Sequence, residues 1–314
     1  MFQLADSWVW DHWYAQVDGE YHLFFLWAKR GPDGPDARHF QAAVGHAVST
    51  DLVNWRRVAE ALARSEPPAF DDLATWTGSV VRHPDGRWYL FYTGATMGAD
   101  GRNAQSVGLA TSPDLLTWTK RPEAVLQPDP AWYETLETSH WQDQAFRDPW
   151  VLADPQGNGW HMLITARANH GATFDRGVVG HAWSADLDSW GLRPPLSAPV
   201  EGGFGQLEVI QVEVIDGRPV MIFSCLAEHA APARRGNGGG IWAAPAASLL
   251  GPFDIAGAYQ LTDDQLYAGR LIRGPGGRWL FTAFRQRLGG EAFLGRIVGP
   301  WPVVWQGSRL AIVF

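Results

Sequence analysis

The chain has 314 residues and a formal charge of −8, with only 18% of residues charged. No run of Lys or Arg is present to neutralise phosphates, which argues against a nucleic-acid or anionic-membrane partner, and no window of about 18 apolar residues offers a membrane span. A single cysteine, Cys225, excludes an intrachain disulfide and a Cys-rich metal site, and suits a reducing compartment.

The start, Met1-Phe2-Gln3-Leu4, has no basic region followed by an apolar core, so a cytoplasmic location is expected. The 18 Trp and 35 Gly fit many short strands joined by tight turns, which makes all-β the expected class.

The elements recur along the chain. Val44-Gly45-His46-Ala47-Val48-Ser49-Thr50-Asp51-Leu52-Val53-Asn54-Trp55 returns in register at Val107 to Trp118 and at Val179 to Trp190. Each copy reads as a strand, a Ser-x-Asp-Leu turn whose side chains satisfy local backbone donors, and a Trp expected to pack on its own unit. Hairpin signals precede the copies: Asp18-Gly19 before Glu20 to Phe25, Asp85-Gly86 before Arg87 to Tyr92, and Gly159 before Trp160 to Ile164. Looser copies follow, with hairpins at Asp216-Gly217 and Gly276-Gly277 and later strands expected at Gly240 to Ala244 and Glu291 to Gly295.

Five units with a period near 60 residues are too long for WD40 or kelch repeats and predict a five-bladed β-propeller with four-stranded antiparallel blades. The expected blades are 5–65, 66–125, 140–198, 200–255 and 258–312, in one catalytic domain over 1–314 with no appended β-sandwich.

In such a ring the residues that open the first strand of each unit meet at the centre. Those positions are Asp11, Thr77 or Gly78, Asp148, Glu208, and Tyr267 to Gly269. Three acids in five equivalent places are costly unless they do chemistry. Glycoside cleavage needs one carboxylic acid to protonate the departing oxygen and one carboxylate acting from the opposite face, and a third can steady the oxocarbenium-like transition state. Arg147 is expected to hold Asp148 ionised, and burial among Leu207, Val209 and Ile210 is expected to raise Glu208. Asp11 lies between Trp10 and Trp13, aromatic residues of the kind that border sugar rings.

The run Val9-Trp10-Asp11-His12-Trp13, then Trp76-Thr77-Gly78-Ser79, Phe146-Arg147-Asp148-Pro149 and the Glu208 strand resemble, in that order, the motifs of the five-bladed fructofuranosidase clan. That clan holds invertases, inulinases, levanases and levansucrases, glycoside hydrolase families 32 and 68. The resemblance spans nearly the whole chain and implies Asp11 as nucleophile, Asp148 as transition-state stabiliser and Glu208 as acid/base, with retention, on sucrose or short fructo-oligosaccharides. Trp-Asp-His-Trp is nearer the Trp-Asp-Ser-Trp-Pro of levansucrases than the Asn-Asp-Pro-Asn-Gly of invertases, and Glu-Val-Ile replaces Glu-Cys-Pro. Inverting family 43 arabinofuranosidase and xylosidase propellers, a fructosyltransferase and a non-catalytic sugar-binding propeller stay open.

The expected sugar-binding residues are Trp10, Trp13, Trp76, Ser79, Arg147, Tyr267 and Arg270, with Trp150, Gln142, Asp143 and Gln144 as further candidates. Glu213 is set aside as acid/base because it cannot share a strand face with Glu208. His12, His140, His170 and His229 form no spaced metal set, and neither a metal nor another cofactor is expected.

Overall fold

The computed structural model describes residues 1–139, 141–287 and 293–314. Five four-stranded antiparallel sheets follow one another along the chain. The first contains β1 (Ser7–Val17), β2 (Glu20–Lys29), β3 (Ala43–Ser49) and β4 (Arg56–Arg57), and the second β5 (Ala74–Arg82), β6 (Trp88–Met97), β7 (Asn103–Ser112) and β8 (Thr119–Lys120). The third contains β9 (Phe146–Ala153), β10 (Trp160–Arg167), β11 (Gly177–Ser184) and β12 (Trp190–Arg193), and the fourth β13 (Glu208–Ile215), β14 (Arg218–Cys225), β15 (Gly240–Pro245) and β16 (Tyr259–Thr262). The fifth is β17 (Leu266–Arg273), β18 (Trp279–Arg285), β19 (Arg296–Gln306) and β20 (Arg309–Ile312).

First strands pack in a cycle, β1 on β5, β5 on β9, β9 on β13, β13 on β17 and β17 back on β1. The ring is therefore the five-bladed propeller that the repeats predict. Blade five meets blade one at a short seam, where Phe2 and Ile297 exchange two backbone hydrogen bonds of 2.9 Å and the Val9 amide donates to the Gly295 carbonyl at 3.0 Å.

The repeated turn works as its residues suggest. In blade one the Leu52 amide donates to Ser49 Oγ, the Val53 and Asn54 amides donate to Asp51 Oδ1, and Leu52 itself adopts a left-handed φ of 63°. The indole N–H of Trp55, Trp118 and Trp190 donates to the carbonyl of the motif leucine in each copy. The Trp55 ring stacks on Tyr14 of its own unit at 6.1 Å, but Trp118 sets an edge on Phe24 of blade one at 5.7 Å and Trp190 on Phe91 of blade two at 5.2 Å, so these two join neighbouring blades. The motif glycine is required by close approach: a Cβ on Gly45 or Gly108 would stand 2.5 Å from the ring of Phe25 or Tyr92 on the adjacent strand.

One expected strand is displaced. Glu291 and Ala292 lie outside the described residues, and the third strand of blade five runs instead over Arg296–Gln306. Gly299-Pro300 lies inside this strand, and the register shift between Phe281 and Ala283 accommodates it as a bulge.

Each inner strand also carries one extra residue. In β1 the register skips between Val9 and His12, in β5 between Trp76 and Gly78, in β13 between Glu208 and Gln211, and in β17 between Tyr267 and Arg270. In β9 the break falls at Asp148-Pro149, opposite Ile164. Asp148, Val209 and Ala268 take left-handed φ values of 55°, 55° and 47° there. The freed amides are met by the preceding blade: Asp148 donates to Thr93 Oγ1 at 2.8 Å, Val209 to Asp148 Oδ2 at 3.1 Å, and Ala268 to Ser224 Oγ at 3.0 Å. These bulges tilt the mouth of each inner strand towards the axis.

The blade-to-blade contact of Trp190 on fully buried Phe91 sets an expectation for stability. Phe91→Ala should lower the unfolding free energy by about 3–5 kcal/mol in urea, the range for emptying an aromatic core site. A loss under about 1 kcal/mol would mean that this contact does not tie the blades together.

Candidate active site

A cavity of about 870 Å³ opens at the mouths of the inner strands, and Asp11, Asp148 and Glu208 all line it. The three acids therefore meet in one place. Of the residues expected around them, Trp10, Trp76, Arg147 and Tyr267 also line the cavity, together with Gln142 and Asp143.

Trp13, Ser79 and Arg270 do not line it. Trp13 lies deeper along β1, fully buried and stacked on Phe24 at 6.2 Å. Ser79 Oγ accepts the Val151 amide at 3.1 Å and so joins blade two to blade three. Arg270 is buried beneath the acids, bonded to backbone carbonyls. Trp150 belongs to a separate cavity at the other end of the channel, and Gln144 is spent on the Leu136 amide and the Gln105 carbonyl. His140 lies outside the described residues.

Arg147 is the central cation. Its Nε stands 3.5 Å from Asp148 Oδ2, its Nη2 3.6 Å from Glu208 Oε1 and its Nη1 3.7 Å from Asp143 Oδ2. Two amides aim it: Nη2 donates to Gln206 Oε1 at 2.8 Å and Nη1 to Gln105 Oε1 at 3.1 Å. Sequence reasoning missed both glutamines. Gln206 had a signal, two residues before Glu208, whereas Gln105 sits on another blade with none.

Each acid has its own partners. Thr77 Oγ1 donates to Asp11 Oδ2 at 2.5 Å. Asp148 Oδ2 accepts the Val209 amide and the Thr165 hydroxyl at 3.0 Å. Glu208 Oε2 accepts the Tyr267 hydroxyl at 3.0 Å, while His229 Nδ1 stands 3.6 Å from Oε1. Residues 35–41, within the Gly-, Pro- and Asp-rich connection 29–41 whose composition suits a pocket wall, add Arg38 and His39 to the rim, and the His39 carbonyl accepts the Trp76 indole at 2.7 Å. Among the described residues no set of three His, Cys, Asp or Glu side chains is placed to hold a metal ion.

Two electrostatic expectations are reversed. Burial pushes Glu208 up, but the interactions with His229, Arg147 and the Tyr267 hydroxyl outweigh it and hold Glu208 below its ordinary value. Asp148 is raised: burial dominates, Arg147 opposes it, and Glu208 adds to it. Asp11 rises from 3.8 to about 7, through burial first and then the neighbouring Asp148, with Thr77 pulling the other way. Burial decides the direction for Asp11 and Asp148, whereas for Glu208 the nearby His229, Arg147 and Tyr267 decide it, so the apolar neighbours of Glu208 along its own chain mislead.

A carboxyl raised on folding contributes stability below its unfolded value, and that contribution is lost as pH climbs through the folded one. For Asp11 the window runs from 3.8 to about 7. Asp11→Asn, which cannot ionise, should therefore change stability little at pH 4 and raise it at pH 8 by on the order of 3 kcal/mol, read from urea melts at the two pH values. An equal effect at both would show that folding does not raise the Asp11 carboxyl.

Comparison with known proteins agrees with this geometry. The description "Glycosyl hydrolases family 32 N-terminal domain" matches residues 12–241. A fructan 1-exohydrolase w2 of Triticum aestivum is 34% identical over 176 residues, 54% of this chain and 26% of that protein. An insoluble β-fructofuranosidase isoenzyme of Arabidopsis thaliana, CWINV5, is 33% identical over 182 residues, 56% of this chain and 28% of its own length. The matched part thus spans about a quarter of these relatives. In structure, an inulosucrase from Halalkalicoccus jeotgali bound to kestose superposes with a TM-score of 0.81 at 24% identity, covering 98% of this chain and 87% of that one. The β-fructofuranosidase catalytic domain of Microbacterium saccharophilum gives 0.76 at 18% identity, covering 98% and 81%. With a family match over most of its length, laid on a five-bladed ring, the chain belongs to glycosyl hydrolase family 32.

Proposed function

We propose that this protein is a retaining β-fructofuranosidase-type glycoside hydrolase that releases terminal fructose from sucrose or short fructo-oligosaccharides. The observation that carries the reading is the meeting of Asp11, Asp148 and Glu208 in one cavity, each at or beside the bulge of its inner strand. The fructan exohydrolase and fructofuranosidase relatives support the choice of sugar.

In this reading Asp11 attacks the anomeric carbon. Thr77 occupies its Oδ2, and among the described residues no donor reaches Oδ1, which leaves that oxygen for the carbon. Asp148 is fixed through Oδ2 by Thr165 and Val209, so its other oxygen is held ready for sugar hydroxyls whose bonds tighten as the oxocarbenium character grows. Glu208 protonates the leaving oxygen and then, as a base, activates the water that releases the sugar. Tyr267 fixes its orientation.

Attack needs Asp11 ionised and Glu208 protonated, whereas in the free pocket Asp11 is raised to about 7 and Glu208 is held below its ordinary value, so substrate binding has to favour the opposite protonation of the two.

A panel of sucrose, inulin-type and levan-type oligosaccharides, with aryl arabinofuranosides and xylosides, tests the reading. Fructosides should turn over, and the ratio of free fructose to longer products separates hydrolysis from transfer. Asp11→Asn should abolish turnover whatever the leaving group. Glu208→Ala should lose roughly 10²- to 10⁴-fold on sucrose yet keep much of the first step on an activated aryl glycoside, with azide rescuing the second. NMR of the first-formed anomer is decisive: an inverted product would recast Asp11 as a base and overturn the retaining mechanism.

A further inference from the structure

Arg147 stands among the acids in the cavity, yet a second guanidinium lies directly under them. Arg270 is 1% exposed, and among the described residues no carboxylate stands within ion-pair distance of it. A cation buried without a directly paired anion is among the least favourable groups to place in a protein interior. Its hydrogen bonds run to backbone instead. Nε donates to the His12 carbonyl at 2.9 Å, and Nη1 to the carbonyls of Val209 at 3.1 Å and Ile210 at 3.2 Å. The guanidinium carbon lies 5.3 Å from the centre of the Trp150 ring.

Every one of these partners is close in sequence to an acid. His12 follows Asp11, Val209 follows Glu208, and Trp150 comes two residues after Asp148. Val209 and Ile210 are themselves the bulged residues of β13. One side chain of blade five therefore holds the backbone behind two acids and the ring beyond the third. On its far side, a second cavity of about 500 Å³ opens at the other end of the channel, lined by Arg270 with Tyr14, Trp150, Gln211, Glu213 and Trp279.

We propose that Arg270 is a positioning residue for the three carboxylates: its guanidinium fixes the bulged backbone that carries Asp11 and Glu208 and supplies the positive charge beneath them. The inference rests on the furanosidase reading above. The charge relation agrees with it, because Asp11 and Asp148 both favour the charged form of Arg270, and Arg270 in turn favours ionised Asp11.

The test uses Arg270→Lys, Arg270→Met and Arg270→Ala, each checked for a cooperative melt. Arg270→Met should lose roughly 100-fold or more in kcat with KM changed by less than about threefold, the size of loss seen when one preorganised charge donor is removed. The acid limb of its kcat/KM profile should move to higher pH. Asp11 would then face the charges of Asp148 and Glu208 with the Thr77 hydroxyl and the charge of Arg38 still acting on it. Arg270→Lys should recover part of the rate and most of the shift. Millimolar guanidinium ion, entering through the far cavity, should raise turnover of Arg270→Ala at least about tenfold while leaving the wild type unchanged.

Variants that melt earlier but keep the wild-type kcat and acid limb would reduce Arg270 to a tie between blades and overturn the proposal. So would Arg270→Ala that folds and ignores guanidinium. If the wild type turns over nothing on the panel, the functional reading fails by itself, and the inference is read from ¹³C NMR titration of Asp11 in wild type and Arg270→Met. An upward shift in the variant supports it, and superimposable titrations refute it.

Discussion

Three carboxyl groups brought together in one partly dry cavity repel one another, and most of the central architecture answers that repulsion. Arg147 lies within 4 Å of two of them and of Asp143, while Arg270 sits below with its charge directed at Asp11 and Asp148. Hydroxyls and amides from neighbouring blades supply the rest, with Thr77 on Asp11, Thr165 and the Val209 amide on Asp148, and Tyr267 on Glu208. The compensation is uneven. Glu208, beside Arg147, His229 and the Tyr267 hydroxyl, is held below its ordinary value, while Asp11, with Thr77 as its hydrogen-bond partner, is pushed up to about 7, so the cluster differentiates its members by their surroundings.

The geometric counterpart is the extra residue in every inner strand. A regular strand would alternate its side chains between two faces down the channel. The bulge breaks that alternation at one level in all five blades and turns the residues there into a common pocket. Because Asp148 bonds the bulge amide of the next blade, a side chain of the site also secures the backbone that carries another member of it. Chemistry and fold share the same hydrogen bonds, and a substitution at Asp148 therefore touches both.

The ring and its acids were legible because the signal was periodic. Three nearly identical copies of a strand and turn set the unit, and each acid opens the strand ahead of a hairpin signal. The bulges were hidden, since Asp148, Val209 and Ala268 adopt a left-handed conformation that sequence reasoning assigns to glycine. With the bulges unseen, Trp13, Ser79 and Arg270 were given to the cavity although they pack behind it. The protonation pattern was hidden for another reason: Glu208 has apolar neighbours along its own strand, but the groups that hold it ionised come from Arg147 in blade three, Tyr267 in blade five and His229 in the loop after β14.

The seam between blades five and one differs in kind from every other junction. Within each sheet, strands pair with neighbours in sequence order, so every pairing there joins segments close in the chain. The Phe2–Ile297 bridge joins segments separated by almost the whole chain. Loop-closure entropy makes that pairing dearer than a tight hairpin by about 4 kcal/mol. Asp11 stands on one side of this seam and Arg270 on the other, so the charge beneath the pocket is in place only once the circle is complete. An open ring would leave its acids in water, where they repel one another weakly, and the electrostatic cost of the site falls on the closing junction, which also brings its compensation.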